Sequence, residues 1–173
     1  MTNSHNGFKH VTLAMDLSLN GPGFAVLAVE PTSNKPIILD VRSLVLTRHK
    51  THGPKLQATT ELLKDLLATY KPQHIVREKG FSRFPATTQS LFKVVGATEL
   101  TAYNEGYEVI TEIAPTSVKK AVTGNGKASK EDVASSVVKH LQIKDSAYFA
   151  NDDETDAAAV GLAYLKSIKA VRL

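Results

Sequence analysis

The sequence predicts an α/β fold in which a five-stranded mixed sheet is covered by helices on both faces. Two features of the pattern indicate it. The first part of the chain has three apolar segments separated by short turns, and the second part alternates strand-like with helix-like segments. The chain has 173 residues, of which 42% are hydrophobic. That is enough for one globular domain with a substantial core.

Alternating side chains and turn residues predict the first three strands. In the first of them, apolar side chains point one way and small or polar ones the other. The turns are formed by Asn-Gly-Pro-Gly at 20–23 and by 31–36. Such short connections favour an antiparallel meander. The predicted strands are 10–17, 24–29 and 37–46.

The rest of the chain predicts two further strands and five helices. Pro115 suits the first turn of one helix, and Ser129 followed by acids predicts the start of the next. In the second helix, Phe92 is expected in the core, with Leu100 and Tyr103 also available for burial. The predicted helices are 55–70, 86–105, 115–122, 129–141 and 152–169, and the strands are 74–78 and 107–113.

Composition limits the class of protein. The absence of cysteine excludes disulfides, thiolate zinc sites and a cysteine nucleophile, and predicts a cytoplasmic location. No apolar stretch is long enough to cross a membrane, and the start does not resemble a signal peptide. The net charge of +4 favours anionic partners only weakly. We expect a loose tail over 1–7 and a single domain over 8–173.

Four acidic residues suggest the chemistry. Asp16 and Glu78 end apolar strands, and Asp153 and Asp156 open the last helix. Each alone has an ordinary explanation as a turn former, a surface ion-pair partner or a charge at a helix start. Jointly they predict a nuclease site with two Mg²⁺ ions, for which Mn²⁺ is expected to substitute.

The start of the last helix supports the joint interpretation. Asp153 and Asp156 are three residues apart and share one helix face. The small residues 157–159 and Gly161 allow this helix to pack closely against another element. No basic residue of the same helix lies near Asp156, so a metal ion is expected to supply the positive charge.

Two basic regions are candidate DNA-binding surfaces. Lys79, Phe81 and Arg83 follow Glu78 in a predicted loop, where an aromatic ring beside cations can stack on an unpaired base. A second group of lysines surrounds a loop with Gly124 and Gly126, which allow phosphates to approach closely. A lysine group of this size is also common on ordinary solvated surfaces. The lysines are Lys119, Lys120, Lys127 and Lys130.

The chain resembles the RuvC-type Holliday junction resolvases from about residue 9 to 167. The resemblance depends on Asp16 and on segments 75–81 (IVREKGF), 114–130 (APTSVKKAVTGNGKASK) and 153–159 (DETDAAA). The third of these four features is the most specific. It follows Val-Lys-x-x-Val-x-Gly-x-Gly-x-Ala-x-Lys, with Asp-x-x-Asp-Ala downstream.

The resemblance implies a ribonuclease H-like fold and a set of residue roles. The first strand would be central with the fourth beside it, and the last helix would cross the sheet and bring the acids together. Lys119 and Lys130 would serve catalysis and contact the DNA backbone, and Phe81 would meet bases at the crossover. Cleavage would leave a 5′-phosphate and a 3′-hydroxyl. A homodimer would use the helix over 87–105 to act on four-way junction DNA. The metal-binding catalytic acids would be Asp16, Glu78, Asp153 and Asp156.

Two departures from the family pattern indicate a divergent, phage-like member. Leu17-Ser18 replaces the Pro-Gly that often follows the first acid, and Asp152 offers a second spacing to Asp156. Three other functions stay open. They are a broader branched-DNA nuclease, an RNA-cutting relative, and a catalytically silent junction-binding protein. A sugar-kinase-like ATPase is disfavoured because the chain is too short for two lobes and has no second phosphate loop.

Overall fold

A computed structural model describes residues 7–80, 84–145 and 148–173, and it contains the predicted elements in the predicted order. The predicted tail lies almost entirely outside these ranges. In the described ranges, no helix has the length and apolar character to cross a membrane. The strands are β1 (Lys9–Asp16), β2 (Gly23–Val29), β3 (Pro36–Ser43), β4 (His74–Glu78) and β5 (Thr111–Ile113). The helices are α1 (His52–Tyr70), α2 (Pro85–Asn104), α3 (Pro115–Thr123), α4 (Lys130–His140) and α5 (Asp152–Ser167).

The strands form one mixed sheet in the order β3-β2-β1-β4-β5. β1 pairs antiparallel with β2 and parallel with β4, and β5 extends the parallel part. The expectation of a central β1 with β4 beside it is confirmed. Because β1 and β4 are parallel, their last residues lie at the same end of the sheet.

Helices cover both faces of the sheet, as predicted. Ala14 and Val76 face a core formed with α3, α4 and α5. Their neighbours Leu13 and Ile75 face the opposite core, formed with α1 and α2. The two-residue alternation of each strand therefore decides which helices its side chains contact.

α5 packs unusually closely on the sheet and is buried along most of its length. A Cβ at Gly161 would lie 2.5 Å from the Leu27 side chain and 3.2 Å from the Cβ of Ala14. A Cβ at Gly23 would overlap the main-chain oxygen of Asp153. The small residues therefore allow helix and strands to approach to a distance that larger side chains would prevent.

Two strands are shorter than predicted. β5 begins at Thr111 rather than 107, since it is an edge strand that pairs only with the last three residues of β4. β3 ends at Ser43 rather than 46. Beyond it, the amides of Leu44 and Leu46 donate to carbonyls of the β1–β2 turn. These bonds satisfy the backbone without extending the ladder.

The prediction that Phe92 is buried is wrong. Phe92, Leu100 and Tyr103 are 61–65% exposed, whereas the opposite side of α2 buries Val94 and Val95. The exposed residues and Gly96 share one helix face, which leaves an apolar stripe in contact with solvent. The helical period identified two apolar faces here, but only one of them packs against the sheet.

Candidate active site

The sheet brings Asp16 and Glu78 together. Each is the last residue of its strand, and β1 and β4 are adjacent and parallel. Each also lies two residues after a side chain in the core beneath α5, namely Ala14 and Val76. Both carboxylates therefore point to the α5 side at one end of the sheet. They line a cleft of about 480 Å³.

The first turn of α5 brings two more acids to this end. The main chain of Asp153 lies against Gly23, which is the β2 partner of Asp16. The Asp153 carboxylate lies beside Gly21 in the β1–β2 turn. Asp156 is close enough to raise the pKa of both Asp16 and Glu78 by charge repulsion. The acidic cluster comprises Asp16, Glu78, Asp153 and Asp156.

Burial and repulsion strongly perturb the two strand-end carboxyls. Burial is the largest cause that raises the pKa of Asp16 to about 7, followed by repulsion from Asp156 and then Asp153. Burial also leads for Glu78, whose pKa is raised to about 7 with contributions from Asp16 and Asp156. The pKa of Asp153 is raised as well, first by burial and then by Asp156. Clusters of acids with strongly raised pKa values are typical of functional sites.

Two lysines partly offset this negative charge. Nζ of Lys130 donates to Asp156 at 3.3 Å, and this carboxylate is the main cause of the raised pKa of Lys130. α4 thus supplies a cation for Asp156 that sequence reasoning did not anticipate, and the metal ion expected there stays a prediction. Lys119 donates to the Ala128 carbonyl at 2.6 Å and lowers the pKa of Glu78. Both predicted lysines thus lie within electrostatic range of the cluster.

Asp152 and Asp153 face different surroundings. Asp153 adds to the repulsion on Asp16. Asp152 lines a small recess beside α4, together with Lys130, Thr155 and Asp156, and is not among the charges that raise the pKa of Asp16. Asp153, but not Asp152, therefore acts on Asp16, and the choice of Asp153 as a metal ligand stays a prediction.

The cluster fits a hard divalent cation in an open site. Among residues 7–80, 84–145 and 148–173, no three Asp, Glu or His side chains form a group that would hold a metal ion by themselves. Mg²⁺ needs no such cage, since it retains waters and uses one or two carboxylates together with substrate phosphates. The available donors are all carboxylate oxygens, and a cation would offset both the burial of their charges and the repulsion between them.

The remaining predicted DNA-binding residues are Lys79, Phe81, Arg83, Lys120 and Lys127. Phe81 and Arg83 lie outside the described residues. The side chains of Lys79, Lys120 and Lys127 are exposed. The loop between α3 and α4 is ordered by Asn125, whose side chain accepts from the amide of Lys127 at 2.9 Å. Its Gly124 has φ of +81°, a conformation that favours glycine.

Sequence reasoning missed several residues of the site. Thr87 and Ser90, from the first turns of α2, line the cleft opposite the acids together with Asn20. Their three-residue spacing on a helix that follows the Glu78 strand was the available signal. Glu154, between the two helix acids, is buried and was not singled out. Nothing in its local sequence distinguishes it from the exposed Asp152.

Fold and site together define a ribonuclease H-like nuclease. A family model described as "Crossover junction endodeoxyribonuclease RuvC" matches residues 12–164. The RuvC enzyme of Ehrlichia ruminantium (strain Welgevonden) is 30% identical over 91% of this chain and 98% of its own length. That of Christiangramia forsetii is 33% identical over 90% and 79%. The chain therefore belongs to the RuvC family of crossover junction endodeoxyribonucleases, which confirms the predicted family and enzyme class.

Solved structures agree on the fold. T. thermophilus RuvC in complex with a Holliday junction substrate superposes with a TM-score of 0.82 at 22% identity, covering 92% of this chain and 95% of that one. The yeast mitochondrial Holliday junction resolvase Ydc2 gives 0.71 at 15% identity, covering 94% and 81%. At these identities the matches establish the common architecture.

The raised pKa values predict that the metal-free protein loses stability as pH rises. Between about pH 4, the ordinary carboxyl range, and pH 7, folded Asp16 and Glu78 bind more protons than they do in the unfolded chain. The free energy of unfolding therefore falls through this window. Asp16→Asn removes a charge that is both buried and repelled, and should raise the free energy of unfolding by about 1–3 kcal/mol at pH 8.

Denaturant unfolding in a chelator at pH 5 and pH 8 measures this effect. The exposed Glu61→Gln on α1 is the control and should leave stability unchanged at both pH values. An equal gain for Asp16→Asn at pH 5 and pH 8 would mean that the charge of the buried Asp16 carboxylate is not what lowers stability.

Proposed function

We propose that this endonuclease resolves four-way DNA junctions by paired phosphodiester hydrolysis, with two Mg²⁺ ions bound by the acidic cluster in each active site. Mn²⁺ is expected to substitute. The observation that supports this most strongly is the convergence of four carboxylates at one end of the sheet, where burial, followed by repulsion from neighbouring acids, raises the pKa of Asp16 and of Glu78 to about 7. Such a site binds cations and, through them, phosphates.

The residues divide into ligands and electrostatic partners. When bound, the metal ions supply activation of the attacking water and stabilisation of the leaving oxygen. Asp16 and Glu78 are held by strands and offer a rigid half of the site, and α5 supplies the other half. Lys130 lies where it can exchange Asp156 for a DNA phosphate, because its side chain is 65% exposed. Lys119 is more restrained, because it donates to the Ala128 carbonyl, and its charge lowers the pKa of Glu78.

A junction with two strands to cut calls for two active sites, which a two-fold symmetric dimer provides. The apolar stripe of α2 supports such a dimer. Phe92, Leu100 and Tyr103 continue to the exposed Val109. Leu100, Tyr103 and Val109 also line a groove of about 430 Å³ between α2 and the segment before β5. Exposed apolar surface of this kind is typical of interfaces.

Cleavage assays with several substrates test the proposal. A four-way junction, a flap and an RNA–DNA hybrid should be incubated with and without Mg²⁺. Paired nicks confined to the four-way junction and dependent on Mg²⁺ are expected. Cutting of all branched DNA would favour a broader branched-DNA nuclease. Cutting of the RNA–DNA hybrid would favour an RNA-cutting relative, and junction binding without any cutting would favour a catalytically silent junction-binding protein.

Substitutions that remove the negative charge of a residue in the acidic cluster should stop cleavage and leave junction binding largely intact. Asp16→Asn, Glu78→Gln and Asp156→Asn each remove charge needed for metal binding rather than for DNA affinity. Asp153→Asn should impair single-turnover cleavage far more than its neighbour Asp152→Asn, which serves as the matched control. Equal cleavage rates for these two variants would mean that Asp153 is not the acid that pairs with Asp156 in metal binding.

Lys119→Ala and Lys130→Ala should weaken junction binding and flatten its salt dependence. Each phosphate contact contributes a slope of roughly −0.9 to log K against log salt, so each variant should lose about one unit. Affinity measured at several salt concentrations gives the slope. Lys64→Ala on the exposed face of α1 should retain the wild-type slope, and unchanged slopes in both site variants would assign these lysines to a solvated surface.

Leu100→Glu should convert the proposed dimer to a monomer, because it places a charge in the centre of the apolar stripe. Sedimentation measures the mass, and the exposed Ile168→Glu beyond α5 is the control. The monomer should lose paired cleavage of one junction. A Leu100→Glu protein with the mass of a dimer would place the interface elsewhere.

A further inference from the structure

Glu154 is a buried carboxylate in the first turn of α5, between two members of the acidic cluster. Only 6% of it is exposed, whereas Asp152 on the same turn is exposed. A buried carboxylate requires compensating hydrogen bonds. Its position near the helix N-terminus helps, because the macrodipole favours negative charge there. Glu154 is not needed to complete the acidic cluster, so its burial calls for another explanation.

Both carboxylate oxygens of Glu154 accept hydrogen bonds. One accepts from Oγ of Ser43 at 2.9 Å, and the other from the amide of Ala150 at 2.8 Å. Asn151, the N-cap residue, donates from its side chain to the same Ser43 hydroxyl at 2.8 Å. It also accepts from the amide of Glu154 at 3.2 Å. Ser43 thus joins two residues of the helix start to the end of β3.

This network exceeds what helix capping requires. In a capping box, an acid at this third position would accept from the amide of the N-cap residue. Here the carboxylate accepts from the preceding amide and reaches a strand 111 residues away in sequence. The connection to Ser43 therefore fixes the helix relative to the sheet rather than only satisfying its own first turn.

Helix geometry explains why this matters for the acids. Successive residues rotate by about 100°, so Glu154 and Asp156 point in nearly opposite directions with Asp153 between them. Glu154 contacts β3, the main chain of Asp153 contacts β2, and Asp156 repels Asp16 of β1. The three contacts thus occur in the same order as the strands β3, β2 and β1 in the sheet. Ser43, Gly23 and Asp16 are cross-strand neighbours in one row.

We propose that Glu154 and Ser43 are positioning residues, whose hydrogen bond fixes the rotation of α5 about its axis and so aims Asp153 and Asp156 at the ends of β1 and β4. The inference depends on the proposed metal-binding role of these acids. Outer-shell hydrogen bonds of this kind determine how well ligands are oriented.

Two variants and one rescue test the role. Ser43→Ala removes the hydroxyl with little change in volume, and Glu154→Leu removes both acceptors while filling the space. Glu154→Gln should restore function, since its amide can accept from Ala150 and donate to Ser43. Glu61→Ala, an exposed acid of α1, is the control and should match wild type.

Two readouts separate positioning from DNA binding. Calorimetric titration of the DNA-free protein with Mn²⁺ measures metal affinity, and single-turnover cleavage across Mg²⁺ concentrations measures the rate. Ser43→Ala and Glu154→Leu should weaken metal affinity and raise the half-saturating Mg²⁺ concentration by about 10- to 100-fold. Junction affinity without Mg²⁺ should stay within about twofold of wild type, because neither residue belongs to a proposed DNA-binding surface.

Wild-type Mn²⁺ affinity and Mg²⁺ dependence in Ser43→Ala would overturn the inference, and this variant decides the matter if Glu154→Leu does not fold. A Glu154→Gln protein as impaired as Glu154→Leu would also overturn it, since charge rather than orientation would then matter. The proposed function fails separately if Asp16→Asn, assayed in parallel, cleaves at the wild-type rate.

Discussion

The close contact of α5 with β1 and β2 is the constraint on which the rest of the structure depends. Gly161 packs against Ala14 and Leu27, and the helix start packs against Gly23. Because these contacts include main-chain atoms and short side chains, they leave little freedom for the helix to slide or tilt. The contact buries apolar surface and also fixes the position of the first turn of α5 relative to the sheet. Stability and the placement of two acids therefore arise from one packing interaction.

The same packing forces like charges together. Asp16 ends a strand whose preceding residues 11–15 are buried, and α5 adds carboxylates beside it. Lys130 relieves part of the repulsion, but burial together with the remaining repulsion still raises the pKa values of Asp16 and Glu78 to about 7. The metal-free fold is destabilised at its functional end, and the apolar cores on both faces of the sheet offset that cost. An acidic cluster of this kind is stable only because the scaffold determines its position independently.

Local pattern predicted much of this arrangement. The strand ending at Glu78 was placed correctly because its short apolar run stands between two helical patterns. The position of Asp16 at the end of β1 was predicted from the alternation of side chains along that strand. The outward face of α2 was missed because periodicity shows that Phe92 and Leu100 are apolar, but not whether they contact the sheet or solvent. The ion pair of Lys130 with Asp156 and the bond of Ser43 to Glu154 were missed because each joins residues far apart in sequence. Their geometry depends on tertiary packing, which no local window contains.

β4 connects the two functional faces of the molecule. Because side chains alternate along a strand, Glu78 points to the acidic cluster while its neighbour Arg77 points to the α2 side. Arg77 is buried and forms ion pairs with Glu99 of α2, at 3.0 Å, and with Glu112 of β5. Breaking either pair would leave a poorly compensated charge in a buried site, which is costly. A displacement of α2, in which Glu99 lies beside the apolar stripe, must therefore move Arg77 or lose this pairing. Since Arg77 and Glu78 are consecutive in one strand, the position of the proposed dimer helix and that of a proposed metal ligand are mechanically linked.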